Sequence, residues 1–145
     1  MATGETPQTG RAPAAGPPPG DATRTVVYIE DERDLLPLLE QVLRNIPVRI
    51  EWAPDVESGW ALISAHKPEV VVLDLMLPGP DDGWEICRRI QDTPELAHTR
   101  IIILSALGDA ASVTRANPFP QITDYLVKPY QINALRGCLA QALDL

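Results

Sequence analysis

Two neighbouring acids, Glu30 and Asp31, a third acid at Asp74, a hydroxyl at Ser105 and an amine at Lys128 each follow a short apolar run. The runs are Thr25–Ile29 (TVVYI), Val70–Leu73 (VVVL), Ile101–Leu104 (IIIL) and Tyr125–Val127 (YLV). In an open parallel sheet, ligands bind beyond the carboxyl ends of the strands, so these side chains are expected at one edge. Clustered carboxylates raise one another's pKa unless a cation joins them. With no His or Cys in the set, hard oxygen donors point to Mg²⁺ rather than zinc. The charges of Glu30, Asp31 and Asp74 are then balanced by Mg²⁺ and Lys128. Phosphorylating Asp74 exchanges a singly charged carboxylate for an acyl phosphate of about two charges. The cation and Lys128 can hold the new oxygens, and Ser105 can donate a hydrogen bond to one of them. The chemistry is phosphoryl transfer to a carboxylate nucleophile.

The elements that must position these groups are legible as hydrophobic patterns. The four runs are β-branched and nearly continuous, as strands buried on both faces are, and Val48–Trp52 (VRIEW) is a weaker fifth. Between them, apolar residues recur at helical spacing. Leu35, Leu38, Leu39, Val42, Leu43 and Ile46 form one stripe, and Val56, Trp60 and Ile63 another. Trp84, Cys87 and Ile90 follow, then Ile132, Leu135, Leu139 and Leu143. A short, irregular fourth helix is expected over Ala110–Ala116, stopped by Asn117-Pro118-Phe119-Pro120. The order βαβαβαβαβα predicts an α/β fold, a doubly wound parallel sheet with helices on both faces. Asp55 is a candidate helix cap, and Pro68 closes that helix. Pro37 is tolerable if the first helix starts near Asp34, because the first N–H groups of a helix have no intrahelical partner.

Composition sets the outer bounds. Five of the 15 prolines lie in residues 1–23, a Pro/Gly/Ala/Thr-rich stretch with Met1 as its only large apolar side chain. That stretch is expected to be a disordered tail, leaving residues 24–145 as the folded domain. It lacks the apolar run of a signal peptide, and no stretch of the chain is apolar enough to span a membrane. A net charge of −8 argues against direct nucleic-acid binding, which needs a basic face. Two cysteines, Cys87 and Cys138, form no disulfide framework, so a reducing, cytoplasmic setting is the simpler expectation.

The pattern VVYIEDE … VVVLDLMLPGPDDGWEICRRI … IIILSA … DYLVKPY resembles the receiver domain of two-component response regulators, in its chemotaxis-Y-like, single-domain form. The resemblance covers about residues 25–145 and rests on four motifs in order. It implies a flavodoxin-like sheet of strand order 2-1-3-4-5 and Asp74 as phosphoacceptor. It implies Mg²⁺ bound by Asp31, Asp74 and the backbone carbonyl of Met76, with Glu30 acting through water. Ser105 is then the switch hydroxyl, Lys128 the lysine that contacts the phosphoryl group, and Tyr125 a switch aromatic. A histidine kinase or phosphotransfer protein is the implied donor. The implied output is a protein contact or onward phosphotransfer, with the face of the fourth helix, fifth strand and fifth helix available for a homodimer. Since the chain ends just after its last helix, it reads as a stand-alone receiver with slow self-dephosphorylation, not an enzyme. Two stretches depart from the family pattern: ANPFPQIT replaces the usual Ala-Gly-Ala turn, and PGPDDG is one residue longer than its counterpart.

Blander readings compete. A phosphorylation-independent adaptor with a receiver fold would keep the site as a relic, but the acid–hydroxyl–lysine set is complete. A phosphohydrolase would need a general acid–base beside Asp74, and Leu75 and Met76 offer none. Trp52, Trp60 and Trp84 read as packing residues. His66 and His98 read as surface residues without ligand spacing, and Cys87 and Cys138 as buried or half-buried helix residues.

Overall fold

The computed structural model describes residues 24–31, 33, 36–75, 82–105, 119–128 and 131–144. The strands are β1 (Arg24–Ile29), β2 (Val48–Ala53), β3 (Val70–Asp74), β4 (Arg100–Ser105) and β5 (Ile122–Val127). The described helices are α1 (Leu36–Val42), α2 (Val56–His66), α3 (Asp82–Gln91) and α4 (Ile132–Ala142), with a 3₁₀ turn at Pro94–Leu96. All neighbouring strands pair parallel, in the order β2-β1-β3-β4-β5. The fold expected from the alternating pattern is therefore present. The tail over residues 1–23 and the helix expected over Ala110–Ala116 lie outside the described residues.

Alternation along each strand divides the core in two. Val26, Tyr28, Val70, Val72, Ile102 and Leu104 face α1 and α4, meeting Leu39, Leu135 and Leu139. Val27, Ile29, Val71, Leu73, Ile101 and Ile103 face α2 and α3, meeting Ile63, Ile86, Cys87 and Ile90. The central strands are buried on both faces, which is why their sequences show no polar alternation.

Local signals set several ends. The Asp55 carboxylate accepts from the Ser58 amide at 2.9 Å and from its hydroxyl at 2.6 Å, the cap expected from sequence. Lys67 closes α2 in the left-handed conformation at φ 45°, and Pro68 follows. Pro37 is the second residue of α1, where its missing N–H costs nothing. The first apolar stripe overshoots its helix. α1 ends at Val42, and Ile46 lies in the turn beyond, although it still packs on the core. Pro47 disfavours the α conformation at Ile46, so periodicity alone extended the helix too far. At the opposite edge of the sheet, Arg24 donates to the Leu143 carbonyl and Arg100 to the Ala142 carbonyl at 3.0 Å. Two strand starts thus satisfy the carbonyl end of α4.

Two glycines give opposite predictions. A Cβ at Gly59 would sit 2.7 Å from Ile29 Cδ1, on a stiff, fully buried side chain. Gly59→Ala should lower the unfolding free energy by about 1–3 kcal/mol. Gly137 is exposed within α4, and a Cβ there meets nothing within 4 Å. Gly137→Ala should raise it by about 0.5–1 kcal/mol, through backbone entropy. Urea denaturation of both variants reads the two signs.

Candidate functional site

The hydrogen-bond ladder runs one residue past three strand ends, and this fixes the backbone beneath the candidate side chains. The Glu30 amide donates to Ala53 O at 3.0 Å, Leu75 to Leu104 O at 2.9 Å and Lys128 to Ser105 O at 2.7 Å. Glu30, Asp74, Ser105 and Lys128 are thereby anchored along one edge of the sheet, at the carboxyl ends of β1, β3, β4 and β5. α3 packs closely beside this edge: a Cβ on Gly83 would lie 2.8 Å from Leu75 Cδ2 and 3.7 Å from Asp74 O.

Lys128 is the hub. Its ammonium donates to Asp74 Oδ2, and to Glu30 Oε2 at 3.4 Å. Asp74 is 2% exposed and Glu30 6%, so both carboxylates are held largely away from water. Burial pushes the Glu30 carboxyl above the ordinary carboxylate range. The Tyr28 hydroxyl and the Lys128 ammonium pull against that shift, and the Asp74 charge reinforces it. For Lys128, burial alone would lower the amine. The Asp74 and Glu30 carboxylates outweigh it and hold the amine above the usual lysine range.

The other expected residues fall around this hub. Asp31 is exposed, one residue beyond Glu30, and has no hydrogen bond or ion pair among the described residues. Ser105 is fully buried at the end of β4. Tyr125 is half-buried on β5, opposite Ile103. A register shift between Ile101 and Ile102 lets Ile122 and Tyr125, three residues apart, pack on the same α2/α3 face, while Leu126 packs on the other. This irregularity in an edge strand re-aims Tyr125. Met76 and Pro129 lie outside the described residues.

The fit to a divalent cation rests on charge and donor type. Among the described residues, no group of three or more His, Cys, Asp or Glu side chains forms a metal cage. Among the described residues, Lys128 pairs with both buried carboxylates, Glu30 and Asp74, and Asp31 lies exposed one residue beyond Glu30. These three carboxylates are hard oxygen donors, a set that fits Mg²⁺.

Two contributors escape the sequence reading. Tyr28 is fully buried and donates its hydroxyl to Glu30 Oε1. Trp52, read as a packing residue, donates its indole N–H to the Glu30 carbonyl at 3.0 Å, and Arg33 lies 5.0 Å over its ring. The available signal was the two-residue spacing of Tyr28 and Glu30, which puts both on one face of β1. The remaining tryptophans do pack. Trp84 is buried and stacks on Phe119 at 6.1 Å, while half-buried Trp60 lies under Arg89. Cys87 and Cys138 are buried free thiols, and burial pushes the Cys87 thiol up to about 12.

The fold and this edge together define a class. Residues 26–140 match the model of the response regulator receiver domain, and the chain belongs to that family. It is 37% identical over 107 residues to the transcriptional regulatory protein AfsQ1 of Streptomyces coelicolor, a match covering 74% of this chain and 45% of AfsQ1. The chain thus spans less than half the length of the curated relatives it matches. Among solved structures it resembles the signal receiver domain of a DNA-binding response regulator from Colwellia psychrerythraea, at TM-score 0.74 and 27% identity, covering 84% of this chain and 99% of that one. It also resembles the BeF3-activated receiver domain of Thermotoga maritima DrrB, at TM-score 0.71 and 28% identity, covering 85% and 99%. No helix among the described residues is long and apolar enough to cross a membrane.

Proposed function

We propose that this receiver accepts a phosphoryl group on Asp74 from a histidine kinase or phosphotransfer protein, and signals through a protein contact or onward phosphotransfer. The observation that carries the reading is the buried Asp74 carboxylate ion-paired to Lys128, beside buried Glu30 and Ser105. An Asp74 oxygen attacks phosphorus and an O–P bond forms. The P–N bond to the donor imidazole breaks, and the imidazole keeps the electron pair and takes up a proton. Lys128 holds Asp74 in place and then meets the new phosphoryl oxygens. Ser105 donates a hydrogen bond to one of them. Asp31, Asp74 and the Met76 carbonyl would hold Mg²⁺ directly, with Glu30 acting through water. When bound, the ion neutralises charge that builds on the transferring oxygens.

The switch in this reading is a shift between existing arrangements, carried from Ser105 along β4 to Tyr125 on β5. Beryllium fluoride with Mg²⁺ tests it as a stable stand-in for the phosphoryl group. Amide resonances should move at Asp74, at Ser105 and along β5 to Tyr125, and Asp74→Asn should remove the response. Changes confined to the immediate neighbours of Asp74, or none, would favour the phosphorylation-independent adaptor.

A further inference from the structure

We propose that Tyr28 is a positioning residue for the cation site, locking the Glu30 carboxylate in the orientation from which it meets a metal-bound water. The inference rests on the reading of Glu30 and Asp31 as parts of a Mg²⁺ site. Tyr28 lies on the α1/α4 face of β1, and Glu30, one residue past the strand end and two beyond Tyr28, continues that alternation and meets its hydroxyl. Glu30 is held from every side. Its amide donates to Ala53 O at 3.0 Å, and its carbonyl accepts from Trp52 Nε1 at 3.0 Å. Its Oε1 accepts from Tyr28, and its Oε2 faces Lys128 at 3.4 Å.

A glutamate has three side-chain torsions, and Lys128 alone does not fix them, because that ammonium is shared with Asp74. The Tyr28 hydroxyl sits on a fully buried ring with no freedom to follow a wandering carboxylate. It therefore selects one rotamer of Glu30. Each carboxylate oxygen accepts more than one hydrogen bond, so a metal-bound water can still donate to Glu30 with Tyr28 in place. Partners that orient a metal site's acceptors from behind typically change metal affinity 10- to 100-fold when removed. Since Glu30 acts through water, the lower end applies here.

The test is direct binding of Mn²⁺, a hard-oxygen stand-in for Mg²⁺, read from the paramagnetic resonance signal of the free ion with Mg²⁺ as competitor. Tyr28→Phe keeps the ring and removes only the hydroxyl. It should weaken Mn²⁺ binding about tenfold, and should have no further effect in a Glu30→Leu background, which has no acceptor for the hydroxyl but where a lost packing contact would still register. Equal affinity in Tyr28→Phe and the parent would overturn the inference, as would an undiminished effect in the Glu30→Leu background. If the parent binds no Mn²⁺, or Asp31→Asn binds it as well as the parent, the cation site itself fails and the inference falls with it. Should Tyr28→Phe fold poorly, the parent gives a second readout. The Tyr28 ring carbon bearing the hydroxyl should shift as Mg²⁺ is titrated, and an unmoved resonance would also overturn the assignment.

Discussion

Asp74→Asn is expected to reduce phosphoryl uptake from acetyl phosphate with Mg²⁺ to background, while the chain stays folded. Asp74 ends β3, where the ladder continues through Leu75 N to Leu104 O at 2.9 Å, so the backbone has no reason to move. The amide matches the carboxylate in size, and its oxygen can still accept from Lys128. What is lost is the nucleophile: an amide oxygen does not form a stable acyl phosphate. Mobility on a phosphate-affinity gel reads the outcome. Uptake at the parental rate would move the acceptor to Asp31 or Glu30 and dismantle the site assignment.

The second large effect belongs to Lys128→Met. Phosphorylation by acetyl phosphate should fall about 10²- to 10³-fold, the usual effect of removing one preorganised donor from developing oxyanion charge. Stability should fall as well. Without the ammonium, buried Glu30 and Asp74 lose the cation that pairs with both. Breaking a fully buried pair costs about 3–5 kcal/mol. The Lys128 side chain is 31% exposed, so about 1–3 kcal/mol is expected here.

The pH dependence separates the two contributions. The Lys128 amine is raised above its ordinary 10.5 because Asp74 and Glu30 outweigh burial, so its contribution is complete below that pH and is lost as pH rises through the folded value. Burial raises Glu30 above its ordinary 4.5, so its contribution is complete below that pH and declines as the folded group ionises. The deficit of Lys128→Met should therefore be largest at neutral pH, shrink toward pH 5, and be partly recovered by Mg²⁺. Urea unfolding at several pH values, with and without Mg²⁺, measures all of this. A deficit independent of pH and of Mg²⁺ would mean that Lys128 acts only by packing.

The sheet was legible in the sequence because parallel strands buried on both faces leave unbroken β-branched runs, as VVVL and IIIL do. The Asp55 cap was legible because a capping carboxylate acts within three residues of itself. The end of α1 was not. Ile46 continues the apolar spacing and does reach the core, but it does so from a turn. The irregularity between β4 and β5 was also hidden. Nothing in ITDYLV marks an extra residue, and strict alternation would send Ile122 and Tyr125 to opposite faces. At the site, Glu30, Asp74, Ser105 and Lys128 could be named because each is a polar residue ending an apolar run. Tyr28 could not be named that way, since an aromatic inside a buried strand reads as packing. Its hydroxyl still needs a partner once buried, and Glu30 supplies it.

Asp74 is the residue proposed to carry the phosphoryl group. The most direct measurement traps the acyl phosphate by borohydride reduction after incubation with acetyl phosphate and Mg²⁺, and maps the reduced residue by peptide mass spectrometry. Asp74 alone should be converted to homoserine, and leaving out Mg²⁺ should remove the conversion. Reduction at Asp31 or Glu30, or none at any acid in the chain, would contradict it.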